Sequence, residues 1–264
     1  ALDQLSVTVA LPTIAGHFGT DLPTVQWIVV GHALTVSVML LPMGGLSDII
    51  GRKRVYVAGF ILFILGAALA GSAATIATLI AARIIQGCGA AMAQSTGRAM
   101  ILPIFSISER GKILGAQMSV VGSGAIAGPA LGGLLVSTLG WRWVFLINLP
   151  LGILALAAVL ILLNEPPLVP RGERPKFDWL GAVLSMGTLV VFLMAIANGL
   201  RLGWTSPAIV AGAAAFILLL ALFIWWELRA PAPMLDLRLF KLPQFSLGVS
   251  TGYISFLGSF PVFF

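Results

Sequence analysis

Hydrophobic residues run along this chain in blocks of about 20, the length a helix needs to cross the roughly 30 Å hydrocarbon core of a bilayer. The blocks fall at 1–18, 25–45, 55–74, 76–104, 113–137, 143–163, 179–200, 207–227 and 245–264. Each is predicted to be a spanning helix, because a backbone in lipid must satisfy its own hydrogen bonds. Two of the polar stretches between them are long enough to part the chain. Residues 164–178 carry Pro166, Pro167, Pro170 and Pro175 among their charges, which forbids a continuous helix and favours an extended linker. Residues 228–243, with Pro231, Pro233 and Pro243, form the second. The predicted organisation is a six-helix bundle over 1–163, a linker over 164–178, two further helices over 179–227, a linker over 228–243 and a last helix over 245–264.

Composition agrees with the pattern. Hydrophobic residues make up 59% of the 264 and charged residues 9%, where a soluble domain is about a quarter charged. So few polar groups cannot cover a water-soluble monomer, a coiled coil or a disordered chain, and a single cysteine excludes a disulfide scaffold. The fold class is therefore an all-α polytopic membrane protein. The net charge of +6 does not point to nucleic acid, because the basic residues stand in short clusters between spans. Eleven of the fifteen follow even-numbered spans: Arg52, Lys53, Arg54, Arg110, Lys112, Arg171, Arg174, Lys176, Arg229, Arg238 and Lys241. Arg142 and Arg201 are on the other side, while Arg83 and Arg98 fall within the fourth span. By the positive-inside rule, loops after even-numbered spans are cytoplasmic, and so is the N-terminal side of the first span. The chain opens on Ala1 and closes on Phe264 within apolar runs. It is expected to be part of a longer protein, with a start codon some tens of residues upstream and about five further spans, the C-terminal half, downstream.

Enzyme chemistry finds no support. His17 and His32 are far apart with no Cys/His metal spacing, and neither a nucleophile elbow nor a phosphate-binding loop occurs. The run GSGAIAG at 122–128 imitates a dinucleotide fingerprint, but it lies in an apolar span with no strand before it, where small residues pack helices together. Cys88, among Gly87, Gly89 and Ala90, reads as a packing residue.

Charges within spans carry more information, since each costs about 2.5–3.5 kcal/mol at the bilayer centre. Asp3 lies about 15 residues, roughly 22 Å, from the outer end of the first span, and Arg83 about 11 Å from the outer end of the fourth. Two uses fit each: a titratable carboxylate and a fixed cation lining a polar cavity, or an interfacial Asp3 and a structural Arg83 that holds carbonyls of a neighbouring helix. Gln26, His32, Gln86, Gln94 and Arg98 are further polar positions on the second and fourth spans, candidates for cavity lining or for satisfied packing. Trp27 and Phe60 could stack on a flat ligand or anchor the interface.

Residues 44–54, GGLSDIIGRKR, read as a charged turn, with Gly51 supplying left-handed angles and Asp48 pairing with a basic residue or capping a helix. The spacing of Gly44, Asp48, Gly51, Arg52 and Lys53 resembles the signature loop of the major facilitator superfamily. Residues 79–91, LIAARIIQGCGAA, are similar to that family's fourth-helix motif. Gly115, with Gly124, Gly128, Pro129, Gly132 and Gly133, resembles its fifth-helix motif associated with antiporters. Leu2-Asp3 with Val9, Ala10, Leu11 and Pro12 resembles the first-helix motif, and WRWVFLINLP at 141–150 resembles a stretch typical of the fourteen-helix drug:proton antiporters. The resemblance covers essentially the whole chain. It departs at Ile49, where the loop motif has a basic residue, and at Leu5, Ser6 and Thr8 on the first helix.

The resemblance implies a major facilitator fold: the N-terminal six-helix half, two extra helices and the first helix of the C-terminal half. It implies alternating access between two halves, with efflux of small lipophilic compounds in exchange for protons, at a bacterial inner membrane. It assigns proton coupling to Asp3 and Arg83, the cytoplasmic gate to residues 44–53, and movement to the fifth-helix glycines. The implied partners are protons, a small-molecule substrate, the bilayer and the C-terminal half, with no nucleic acid, metal or cofactor. A metabolite facilitator or symporter of the same family is the nearest alternative, and a membrane sensor or scaffold a more distant one.

Overall fold

The computed structural model describes residues 2–101, 103, 105–163 and 177–259, with the side chains of Arg98, Ile107 and 256–259 outside the description. Among the described residues all regular structure is helical. The first compact unit, Ala1–Pro175, holds α1 (Leu2–Phe18), α2 (Leu22–Ile50), α3 (Arg52–Gly71), α4 (Ile76–Ile101), α5 (Ile107–Thr138), α6 (Trp143–Leu146) and α7 (Asn148–Leu162). The second, Lys176–Phe264, holds α8 (Trp179–Leu202), α9 (Pro207–Glu227), a 3-10 turn (Leu237–Lys241) and α10 (Pro243–Ser259).

In the first unit α4 packs between α2 and α3, α1 lies against α5, and α3 meets α6 and α7. The apolar core gathers where α1, α2, α4 and α6 meet, around Val7, Ile14, Ile28, Leu79 and Phe145, all fully buried. The opposite surfaces are apolar too. Ile126 is 74% exposed and Ile161 77%, a distribution that water would not tolerate and lipid requires. Seven helices, with α6 and α7 counted as one, are long and apolar enough to cross a membrane among the described residues. The protein is therefore multi-pass. The first and last predicted spans correspond to α1 and α10, each 17 residues long.

Three details refine the sequence-based expectation. The helices run further than the predicted spans: α2 continues to Ile50 and α3 begins at Arg52, so the charged turn narrows to Gly51 alone, at φ 116° and ψ 130°. Only glycine takes that φ cheaply. The sixth span is one membrane-length stretch, Trp143–Leu162, with an irregularity at Ile147 between α6 and α7, where the backbone keeps helical angles of φ −59° and ψ −25°. Pro150 fits that irregularity, since it has no N–H to give the Leu146 carbonyl. The second linker is partly helical, with its 3-10 turn and with α10 starting at Pro243, where a missing N–H costs nothing. Of the first linker, residues 164–176 lie outside the described residues.

α3 and α4 touch through backbone. A Cβ built on Gly66 would stand 2.6 Å from the Gln86 nitrogen, and one on Gly59 2.9 Å from the Gly89 carbonyl oxygen. The Gly66→Ala variant is therefore expected to lose about 1–3 kcal/mol, the cost of overpacking. Thermal unfolding of the purified protein should show this against Gly16→Ala, whose added methyl meets nothing within 4 Å.

Candidate functional site

Arg83 is fully buried in the middle of the first unit. A guanidinium presents five donors in a fixed plane, so its burial requires acceptors on several sides. α1 supplies Asp3, whose Oδ2 takes Nη1–H at 2.8 Å. α2 supplies the Ile28 carbonyl, which takes Nε–H at 3.2 Å. One turn further along α4, Gln86 Oε1 takes a second bond from Nη1 at 2.6 Å. The Phe145 ring of α6 lies 5.7 Å from the guanidinium carbon, within cation–π range.

Asp3 is held as thoroughly. Its side chain is 12% exposed, and Oδ1 accepts from Asn148 Nδ2 at 2.8 Å and from Gln86 Nε2 at 3.4 Å. Four elements, α1, α2, α4 and the α6–α7 corner, thus converge on one ion pair. His32 adds a link by donating Nδ1–H to the Arg83 carbonyl, at 3.3 Å. Arg83 Nη2 is buried with no protein partner, an unused donor inside the cluster. In a dry surrounding such a pair is rigid, and removing either member strands the other's charge.

The remaining predicted positions divide. His32 and Gln86 are buried in the cluster, whereas Gln26 and Gln94 are exposed and take no part in it. The Arg98 side chain lies outside the described residues. Asn148 and Phe145 belong to the site although the sequence reading did not single them out. An amide opening the otherwise apolar helix NLPLGILALAAVLIL was the available signal for Asn148.

The fifth-helix glycines form the seat of α1. A Cβ on Gly128 would stand 3.0 Å from Leu5 Cβ, one on Gly132 2.7 Å from Ser6 Cα, and one on Gly124 3.7 Å from Leu2 Cβ. Ser6 Oγ donates to the Gly128 carbonyl at 2.8 Å across the seam. Gly133 sits at the edge of this contact, 4.0 Å from Val9, while Gly115 meets nothing. Pro129 is on the exposed side, and α5 is helical through it. Beside the seam is an open apolar groove of about 520 Å³, bounded by Leu2, Val120, Val121 and Gly124.

At the Gly51 turn, Asp48 Oδ1 pairs with Arg52 at 2.9 Å and 3.1 Å. Arg52 Nη1 also donates to the Ala99 carbonyl of α4 at 2.8 Å. Lys53 Nζ reaches the Leu163 carbonyl beyond α7. Gly44 packs on Ser95 of α4. Among the described residues no group of three or more His, Cys, Asp or Glu side chains is placed to hold a metal.

A model of the Major Facilitator Superfamily matches residues 1–263. The multidrug resistance protein Stp of Mycobacterium tuberculosis is 36% identical over 252 residues, covering 95% of this chain and 46% of that protein. The putative multidrug resistance protein MdtD of Salmonella paratyphi A is 34% identical, covering 98% and 54%. The probable actinorhodin transporter of Streptomyces coelicolor is 34% identical, covering 97% and 45%. The chain thus spans about half the length of the curated relatives it matches. Among solved structures, a bacterial homolog to the human lysosomal transporter Spinster, in an inward-facing and occupied conformation, matches with a TM-score of 0.56. The match covers 89% of this chain and 60% of that one at 20% identity, a likeness of fold.

Arg83 bonds in three directions from a planar fork, which an ammonium cannot reproduce. Arg83→Lys keeps the charge yet is expected to destabilise the protein by about 3 kcal/mol or more, because partners of the buried pair are left unmatched. A thermal-unfolding series that includes Arg54→Lys, at an exposed position, should separate this loss from a mere change of cation.

Proposed function

The chain belongs to the major facilitator superfamily, and on that footing we propose that the protein it builds exports small lipophilic compounds, drugs among them, in exchange for protons. The observation that carries this reading is the buried Asp3–Arg83 pair, with Gln86, Asn148 and His32 around it. Charges so placed are costly to embed and have their commonest use in ion and proton pathways. The relatives' names support the substrate class.

In this reading Asp3 is the group that exchanges a proton. As a carboxylate it accepts from Arg83, Gln86 and Asn148, tying α1 to α4 and α7. A proton on Asp3 cancels its charge and turns one acceptor oxygen into a donor, which weakens the bond from Arg83 on Oδ2 or those from Asn148 and Gln86 on Oδ1. Arg83 remains held by Gln86 and the Ile28 carbonyl. Protonation therefore loosens α1 in particular, the helix seated on the glycine face of α5. Alternating access follows when that loosening is linked to opposite openings of the cavity. Asp48, Arg52 and Lys53 close the inner side by bridging the α2–α3 turn to the ends of α4 and α7.

The same reading places the protein in a bacterial inner membrane, with the eleven basic residues after even-numbered spans, and the N-terminal side of α1, in the cytoplasm. The proton gradient is the energy source and no cofactor takes part. The protein catalyses no covalent chemistry, and its partners are the proton, the substrate, the bilayer and the C-terminal half.

The test uses vesicles that carry the full-length protein and hold an imposed pH gradient. Addition of a transported lipophilic compound should dissipate the gradient in the wild type. The Asp3→Asn variant should leave it standing, at equal membrane abundance. Gly128→Leu should insert but not transport, because the larger side chain lifts α1 from its seat. Uphill export by Asp3→Asn with an unaltered pH dependence would sink the assignment of the proton to Asp3.

A further inference from the structure

Two acidic side chains stand together in the other unit, at the base of the α8–α9 hairpin, Glu227 buried and Asp178 half-buried. Asp178 caps α8, with Oδ1 accepting from the Gly181 backbone N–H at 2.8 Å and from Trp226 Nε1–H at 2.8 Å. Glu227, the last residue of α9 and only 3% exposed, accepts the Leu235 backbone N–H on Oε2 at 3.1 Å. One oxygen on each carboxyl is left over: Asp178 Oδ2 and Glu227 Oε1 are both buried and have no partner. The two leftover oxygens border the same space beside Gly181. A Cβ built on Gly181 would stand 2.8 Å from Glu227 Oε1 and in still closer contact with Asp178 Oδ2. Only the missing side chain of Gly181 leaves that space open.

Two ionised carboxylates facing each other in such a place would repel, with neither able to donate. No cation lies within ion-pair distance of either carboxyl among the described residues. Arg229 stacks over the Trp225 ring at 4.4 Å. Asp236 takes the Arg238 backbone N–H, and the ion pairs found elsewhere, Asp3–Arg83 and Asp48–Arg52, involve neither carboxyl. Arg201, the basic residue of α8, belongs to that helix's last turn, at the end opposite Asp178. A single proton resolves the conflict, since it converts one leftover oxygen into a donor aimed at the other. The helix ends decide which group holds it. Asp178 sits at the N-terminus of α8, where the helix dipole favours negative charge, and Glu227 at the C-terminus of α9, where it opposes it.

We propose that Asp178 and Glu227 form a proton-binding site, in which Glu227 keeps its proton on Oε1 and donates it to Asp178 Oδ2. The pair then carries one negative charge, and the four oxygens have partners in Gly181, Trp226, Leu235 and each other. Its role is to fasten the α8–α9 hairpin to the segment that leads into the 3-10 turn. This site is separate from the Asp3 cluster and does not depend on that cluster's part in transport.

Infrared spectroscopy of the full-length protein at neutral pH reads the proton directly. A protonated-carboxyl band is expected that persists in Asp3→Asn and disappears in Glu227→Gln. Asp178→Asn should also remove it, because Glu227 then ionises against an amide donor; that variant serves if Glu227→Gln cannot be purified. Thermal unfolding adds a second reading. The wild-type midpoint should fall as rising pH strips the shared proton. In Glu227→Gln, whose amide N–H takes over the bond to Asp178, that part of the fall should vanish. An unchanged band in both variants, or an unchanged pH dependence in Glu227→Gln, overturns the proposal. So does a wild-type midpoint raised by sodium or potassium at high pH, which would make the pair a cation site.

Discussion

A charge in lipid must be answered at short range, and in the first unit Arg83 imposes that demand on everything around it. Its guanidinium cannot shed its proton, so the neighbours have to bring acceptors to it. α1 brings a carboxylate, α2 a main-chain carbonyl and α4 its own Gln86, while α6 offers an aromatic face. The apolar core around Ile14, Ile28, Leu79 and Phe145 excludes water from the same region and strengthens each of these bonds. The positions of the helices and the electrostatics of the cluster are therefore one problem with one solution.

Close contact of backbones does the rest. With lipid outside there is little hydrophobic gain in bringing helices together, so packing depends on how nearly two backbones can approach. α3 and α4 meet through glycines on both sides, and α1 meets α5 through glycines on one side only. The first contact is interlocked. The second is a smooth face under Leu5 and Ser6, with one hydroxyl bond across it. The first unit thus combines a firm pair of helices with a seam that has few features to fix its register.

Much of this was readable in the chain itself. Blocks of apolar residues located the spans because a bilayer sets a fixed length. Asp3 and Arg83 stood out because charges in such blocks are rare, although nothing in their spacing, 80 residues apart, says that they touch. The resemblance of residues 79–91 to a family motif marked Gln86 as well. Asn148 lies inside a string that resembles a family stretch as a whole, and Phe145 is one of fifteen phenylalanines; only the fold reveals that the α6–α7 corner closes the cluster. Gln26 and Gln94 illustrate the converse, since polarity within a span does not say which way the helix faces. The Asp178–Glu227 pair had no linear signal at all. It lies at the two ends of a hairpin, and each residue alone looks like an ordinary charge at a helix terminus.

The Gly51 turn is a mechanical joint. Two long helices are joined there by a single residue, so the angle between them is governed by one φ and one ψ. Immediately after the joint, Arg52 grips the end of α4 and Lys53 the end of α7. Any swing of α2 against α3 must either break those grips or drag two more helices along. A single pair of torsions, in effect, has four rods attached to it.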